Sequence, residues 1–202
     1  MLKIWGRLNS HNVKKVVWLA EELGLDYERT DVGGKFGMDD AYLAKNPNAL
    51  IPTIEDGRVV LWESNTIVRY LAAQYGGDRW WPADPAQRAR GERWMDWQGD
   101  YANAQRDAFV GYVRTPEAER NYAAIEQSVA ACAKKLTVLE HYLGETPWLS
   151  GENFGVGDIP MGVYIWTWFS LPIERPEFPR IANWFARLKE RAGYDQVAIP
   201  LS

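Results

Sequence analysis

The apolar pattern predicts an α/β domain followed by an all-α domain. Short strand-forming runs alternate with helix-spaced runs up to Gly77, and from Pro85 onward only helical spacing remains. Between them, Asp78-Arg79-Trp80-Trp81-Pro82-Ala83-Asp84 reads as a linker with aromatic anchors. The resulting boundaries are 1–77 for the first domain, 78–84 for the linker and 85–202 for the second domain.

Leu2, Ile4 and Trp5 supply strand-forming bulk, and Gly6 ends the run. Val13, Val16, Val17, Ala20 and Leu23 then recur at the three-and-four spacing of one helix face. The polar loop Arg7 to Asn12 feeds the start of that helix, where unpaired backbone N–H groups and the positive dipole end favour an anion. Ser10 adds a hydroxyl, a weak nucleophile alone but a good donor to a thiolate or oxyanion. His11 beside it reads as an exposed loop histidine or as a general base.

Leu25 to Asp31 alternates as a strand. Gly33 to Gly37 is either a plain turn or a wall over a ligand with Lys35 reaching in. Asp39 to Ala44 is a short helix closed by Asn46-Pro47-Asn48. Leu50 to Glu55 is strand-like but holds Pro52, which cannot donate to a ladder and suggests an edge or a cis bond exposing the Ile51 backbone. Asp56-Gly57 signals a hairpin into Arg58 to Trp62, giving the sheet an antiparallel part. Ser64 is placed to cap the helix that follows, which stops at Gly76-Gly77. That N-terminus can also take a carboxylate, and Glu63 an ammonium group.

In the second half, Asp84-Pro85 opens a long helix to Val113. Thr115-Pro116 repeats the start signal for a helix ending near Gly144. Gly155 with Asp158 opens a third helix whose residues 161–169 are apolar nearly all round, and Ile181, Trp184, Phe185 and Leu188 mark a last one.

Hydrophobic residues make up 47% and charged residues 25% of the 202, close to the globular average, so disorder is not expected. A net charge of −4 with no basic block argues against nucleic acid. No apolar run reaches the roughly 18 residues of a membrane span. The early polar residues do not suit a signal peptide, and the single cysteine, Cys132, fits a reducing cytosol. The chain is expected to be soluble and cytoplasmic. The 11 tryptophans are core and interface anchors, an aromatic-lined pocket, or both.

The order Ser10 before the first helix, Ile51-Pro52, Glu63-Ser64 and the helix start from Gly155 to Asp158 resembles the cytosolic glutathione S-transferases. The resemblance spans essentially the whole chain. The run Trp5-Gly6-Arg7, Asn9 to Val16, is most similar to a bacterial theta-related branch. It implies a thioredoxin-like N-terminal domain holding glutathione as co-substrate, with no metal, and an all-helical glutathione-transferase C-terminal domain supplying most of the electrophile pocket. By position, Ser10 corresponds to the donor to the glutathione sulfur; Asn12, in a loop with more donors than a theta enzyme carries, and Arg106 on the long helix are this chain's own candidates to share in stabilising the thiolate. Pro52 corresponds to a cis-proline beside the pairing backbone of Ile51, and Glu63 and Ser64 to the holders of the γ-glutamyl end. Lys35 and Asn48 lie where the glycyl end is gripped. Arg7, Tyr101, Phe109, Tyr112 and Trp166 are the candidates for the electrophile pocket. Arg106 is either a solvated arginine or a second cation near the sulfur. Gly155 stands where the family usually carries serine or threonine, which drops one capping hydrogen bond.

The implied activity is conjugation of glutathione to small electrophiles such as organic halides, a detoxification chemistry, by a homodimer. Peroxidase or disulfide reductase activity and a non-catalytic interaction module are the alternatives on the same fold. A reductase of this kind usually carries a cysteine in the first loop, where this chain has Ser10.

Overall fold

A computed structural model describes residues 1–200. Strand β1 (Leu2–Trp5) lies at the middle of a four-stranded sheet with β2 (Tyr27–Thr30), β3 (Thr53–Asp56) and β4 (Val59–Trp62), in the order β2-β1-β3-β4. β1 runs parallel to β2, with Leu2 opposite Tyr27, and antiparallel to β3, with Ile4 opposite Ile54. The Asp56-Gly57 turn makes β3 and β4 the expected antiparallel hairpin.

Helix α1 (His11–Glu22) crosses from β1 to β2, and α3 (Ser64–Tyr75) packs beside it. Val13, Val16 and Val17 of α1, Ile67, Val68 and Leu71 of α3, and Ile4 and Ile54 of the sheet have no measurable or almost no exposure. Fully burying each such side chain is worth about 1.5–3 kcal/mol. Gly6 permits the close turn from sheet to helix: its φ is 147°, and a Cβ there would stand 2.5 Å from Val13 Cγ2. Gly24, at φ 62°, ends α1 in the left-handed conformation. This is a thioredoxin-like arrangement: a mixed sheet with its helices covering the apolar face.

Residues 1–83 form one compact unit together with 191–199, and 84–190 form a second. The 191–199 segment, which the sequence places with the helical half, packs on α1 instead. Arg191 pairs with the carboxylate of Glu22, Lys14 Nζ donates to Val197 O at 2.7 Å and Ile199 O at 3.1 Å, and Trp18 meets Tyr194 edge-on. The expected linker contains a one-turn helix, α4 (Gly77–Trp80). A further short helix, α2 (Asp40–Leu43), is capped by Asp39.

The second unit is helical: α5 (Pro85–Val113), α6 (Tyr122–Tyr142), α7 (Asp158–Ser170) and α8 (Pro179–Leu188). Asp84 caps α5, with Pro85 at the first position, as its sequence signal predicts. The α6 signal is corrected. Thr115-Pro116 leads only into a 3-10 turn, Glu117–Glu119, and the helix starts after Asn121, whose side chain accepts from Ala124 N–H at 3.1 Å.

The α7 start is organised by Asp158. Its fully buried carboxylate accepts from Leu149 N at 2.8 Å, Gly155 N at 2.9 Å, Ser150 N at 3.3 Å and Trp184 Nε1 at 2.9 Å. The residue preceding the helix is Gly157 rather than Gly155, and its N–H is satisfied by Ser150 Oγ at 3.0 Å. A Cβ at Gly155 would lie 2.8 Å from that hydroxyl oxygen. Ser150 therefore supplies a hydroxyl at this helix start, and glycine at 155 leaves room for it.

Candidate active site

The loop after β1 ends at Ser10, which stands at the N-cap of α1 in extended conformation, φ −81° and ψ 127°. Its backbone is fixed on both sides: the N–H donates to Arg7 O at 3.1 Å and the carbonyl accepts from Lys14 N at 3.0 Å. An N-cap serine ordinarily turns its oxygen back to the helix N–H groups. Ser10 does not, and among the described residues its hydroxyl has no hydrogen-bond partner. The group is held in place at the positive end of α1 and left available.

Arg7 crosses the same loop. Its guanidinium donates to Asn9 Oδ1 at 2.7 Å and lies against Gly34, where a Cβ would come within 3.0 Å of Arg7 Nε. Lys35 is on the exposed 3-10 turn Gly34–Phe36, with its ammonium 5.1 Å from the Phe36 ring centre.

A cavity of about 60 Å³ opens beside the heads of α1 and α3, lined by Asn12, Asn46, Asn48, Leu50, Ile51, Pro52, Trp62, Glu63 and Ser64. One wall is the 46–52 loop. Asn46, which the sequence offers only as a turn residue, is buried and pins this loop: its amide donates to Leu50 O at 2.9 Å and Thr53 Oγ1 at 3.1 Å. Its carbonyl accepts from Asn48 N at 3.1 Å. Tyr42 adds its hydroxyl to the same group through Leu50 O and Thr53 Oγ1. The Ile51-Pro52 bond is cis. The Ile51 N–H and C=O have no partner among the described residues, which leaves one peptide edge at the cavity open to an extended ligand.

The opposite wall is the entry to α3. Glu63 precedes the helix at φ 72°, ψ 106°, a conformation a non-glycine residue holds only at a cost of roughly 1–3 kcal/mol. Ser64 is the first helical residue rather than the cap; its hydroxyl donates to Asn12 Oδ1 at 3.3 Å. Asn12 thus ties α1 to α3, with its carbonyl oxygen directed to Ser64.

Behind Ser64 lies a group that the sequence conceals. Lys15 is 2% exposed, and its ammonium donates to Ser64 Oγ at 3.4 Å and Asn65 Oδ1 at 3.3 Å. Burial pushes it down to about 7, with Glu63 pulling in the opposite direction. The only sequence signal is a lysine pair, Lys14-Lys15, interrupting an apolar run.

The residues expected to form the electrophile pocket are distributed differently. Tyr101 is fully enclosed in the helical unit, stacked on Trp97 and bonded through its hydroxyl to Gln105 Nε2 at 3.2 Å. It is a core residue, with no face left to line a pocket. Phe109 is buried beneath Arg114, and Tyr112 packs on the Ala108–Ile125–Leu171 cluster with Arg120 over its ring. Trp166 is 9% exposed. Arg106 is exposed on α5 and, among the described residues, has no ion-pair or hydrogen-bond partner.

One thioredoxin-like unit thus carries a hydroxyl at a helix N-terminus and, lining its cavity, an open peptide edge and a carboxylate–serine pair, with Ser10 itself outside that lining. The chain matches the glutathione S-transferase N-terminal domain over residues 6–79 and the glutathione S-transferase C-terminal domain over residues 101–192, and it belongs to the glutathione S-transferase family. It is 44% identical to glutathione S-transferase GstB of Escherichia coli, over the full length of both chains. Its structure is similar to that of the theta class glutathione S-transferase of Xanthomonas axonopodis pv. citri with glutathione bound, at a TM-score of 0.96 and 49% identity, covering 100% of this chain and 99% of that one. It is also 27% identical to the disulfide-bond oxidoreductase YfcG of Escherichia coli, over 93% of this chain and 90% of that protein.

Proposed function

We infer that the protein is a glutathione transferase that binds glutathione as a thiolate and conjugates it to small electrophiles such as organic halides. The observation that carries this reading is the uncommitted Ser10 hydroxyl at the head of α1, on a unit whose cavity is lined by Ile51, Pro52, Glu63 and Ser64. A cysteinyl thiol has a pKa near ~8.5, so at neutral pH it is mostly protonated. A hydroxyl donor and the helix dipole favour the thiolate, and each unit of depression corresponds to about 1.4 kcal/mol. The sulfur attacks the electrophilic carbon, the halide leaves with the bonding pair, and the thiol proton goes to solvent.

Each site residue has a role in this reading. Ile51 pairs through its backbone with the cysteinyl portion, beside Pro52. Glu63 holds the γ-glutamyl ammonium and Ser64 the carboxylate. Asn48 and Lys35 serve the glycyl end, and Lys35 reaches it from an exposed turn. Asn12 acts through Ser64, and Ser10 is the donor to sulfur. Arg7, Phe109, Tyr112, Trp166 and the exposed cation of Arg106 remain the candidates for contact with the electrophile. The exposed apolar residues Val59, Val60 and Trp62 of edge strand β4 support a homodimer, testable by light scattering. The single buried cysteine suits a cytoplasmic protein.

Likeness to a disulfide-bond oxidoreductase favours a second reading, in which bound glutathione reduces disulfides or hydroperoxides. Against protein-thiol exchange stands Cys132, buried in the helical unit with its thiol pushed up to about 12. Calorimetry with glutathione, followed by turnover of an activated aryl halide and of an organic hydroperoxide, separates these readings. Saturable halide turnover supports conjugation. A folded protein that binds glutathione but turns over only the hydroperoxide moves the assignment to the second reading, and one that does not bind glutathione contradicts both.

A further inference from the structure

A lysine in a helix normally keeps its ammonium in water and buries only its methylene stem. Lys15 withdraws the charge itself, and directs it at the first turn of α3, to Ser64 Oγ at 3.4 Å and Asn65 Oδ1 at 3.3 Å. Its neighbour Lys14 is turned the other way, to the carbonyls of Val197 and Ile199. Only Lys15 therefore stands behind the cavity wall. Glu63 favours its ammonium form, and on its own helix His11 lies one turn earlier and Lys14 is adjacent.

We propose that Lys15 is a positioning residue for the γ-glutamyl end of glutathione, acting through Ser64 and taking up a proton as the ligand carboxylate arrives. This rests on the assignment of the cavity to glutathione given above. The Ser64 hydroxyl has one proton, which it gives to Asn12 Oδ1 at 3.3 Å. While Lys15 is charged it can only donate to the hydroxyl oxygen, so the hydroxyl is free to swing that proton from Asn12 to a carboxylate. The resulting chain, ammonium to hydroxyl to carboxylate, strengthens each link by polarising the next. A neutral amine can instead accept the hydroxyl proton, which removes the donor from the ligand.

A carboxylate one hydroxyl away favours the charged amine, and by reciprocity the charged amine favours the carboxylate. Because burial leaves Lys15 near 7, both forms are populated in the free protein at neutral pH. A ligand that raises it by about one unit takes up about half a proton at pH 7.5, and its affinity falls roughly sixfold between pH 6.5 and pH 8.5. The sign is opposite to that of thiol ionisation, which releases a proton.

The test uses S-methylglutathione, which has no thiol to ionise. Calorimetry in buffers of differing ionisation enthalpy measures proton uptake by the full chain at pH 7.5, and titrations at pH 6.5 and 8.5 give the affinity profile. The expected result is uptake of about half a proton and a roughly sixfold weakening at the higher pH. Lys15→Arg keeps the low-pH affinity, shows no uptake and gives a flat profile, because its charge is permanent. Lys15→Met binds weakly at both pH values; if it does not fold, the wild type and Lys15→Arg decide. Binding without uptake, or uptake that persists in Lys15→Arg, overturns the proposal and leaves the glutathione assignment standing. Failure of the wild type to bind S-methylglutathione overturns both.

Discussion

The hydroxyl of Ser64 donates to Asn12 Oδ1 across 3.3 Å, joining the first turns of α3 and α1. The contact gives Asn12 a task at the carboxylate end of the cavity, separate from that of Ser10. Because the Ser64 proton leaves Asn12 when the ligand carboxylate arrives, Asn12→Ala removes a bond worth roughly 1 kcal/mol from the free protein alone and is expected to tighten glutathione binding by up to about fivefold. The thiol pKa of bound glutathione is expected to stay unchanged. Calorimetry paired with a thiol titration of the complex checks both halves.

Asp158 is expected to be the most costly polar position of the helical unit. Asp158→Ala leaves the N–H groups of Leu149, Gly155 and Ser150 and the Trp184 indole without their acceptor. Each unmade bond of a buried donor costs about 1–3 kcal/mol, so a loss on the order of 4 kcal/mol is expected by urea denaturation. Asp158→Asn, which keeps one acceptor oxygen, is expected to cost about half as much.

Much of this was legible in the sequence, for physical reasons specific to each element. Ser10 stands out because a polar loop feeds an amphipathic helix, and Glu63-Ser64 because a strand ends at a helix start. Asn46 looks like a turn asparagine, and only the fold shows that its amide closes the 46–52 loop. Lys14 and Lys15 look solvated, since a one-sided apolar stripe implies a wet opposite face. α1 in fact buries every residue from Val13 to Ala20. Pro116 fits a helix start, yet the chain makes only a 3-10 turn before Asn121 caps α6. Tyr101 shows the limit on a long helix: an aromatic side chain cannot be assigned to pocket or core until the neighbouring helices are placed.

Those buried lysines set a pH dependence of stability. Burial pushes Lys15 from 10.5 to about 7 and Lys14 to about 8, so above these values the unfolded chain binds more protons than the native state. Stability therefore rises with pH from about 7 to 9. Beyond 9 the Cys132 thiol, pushed up to about 12, acts in the opposite direction, because the native state resists its ionisation. Denaturant midpoints at pH 7, 8 and 9 are expected to climb in the wild type and to climb less in Lys14→Met, a substitution that keeps the apolar stem.

The thiol pKa of bound glutathione, followed by the ultraviolet absorbance of the thiolate, decides whether Ser10 is the donor to sulfur. With Ser10 intact the expected value is at least about one unit below the free thiol's ~8.5, and in Ser10→Ala it returns toward ~8.5 with glutathione still bound. Because the Ser10 hydroxyl makes no cap bond, this substitution is expected to leave the fold unchanged. An undepressed value in the wild type, or a depressed value that Ser10→Ala leaves in place, would contradict the assignment of Ser10 as the donor to sulfur.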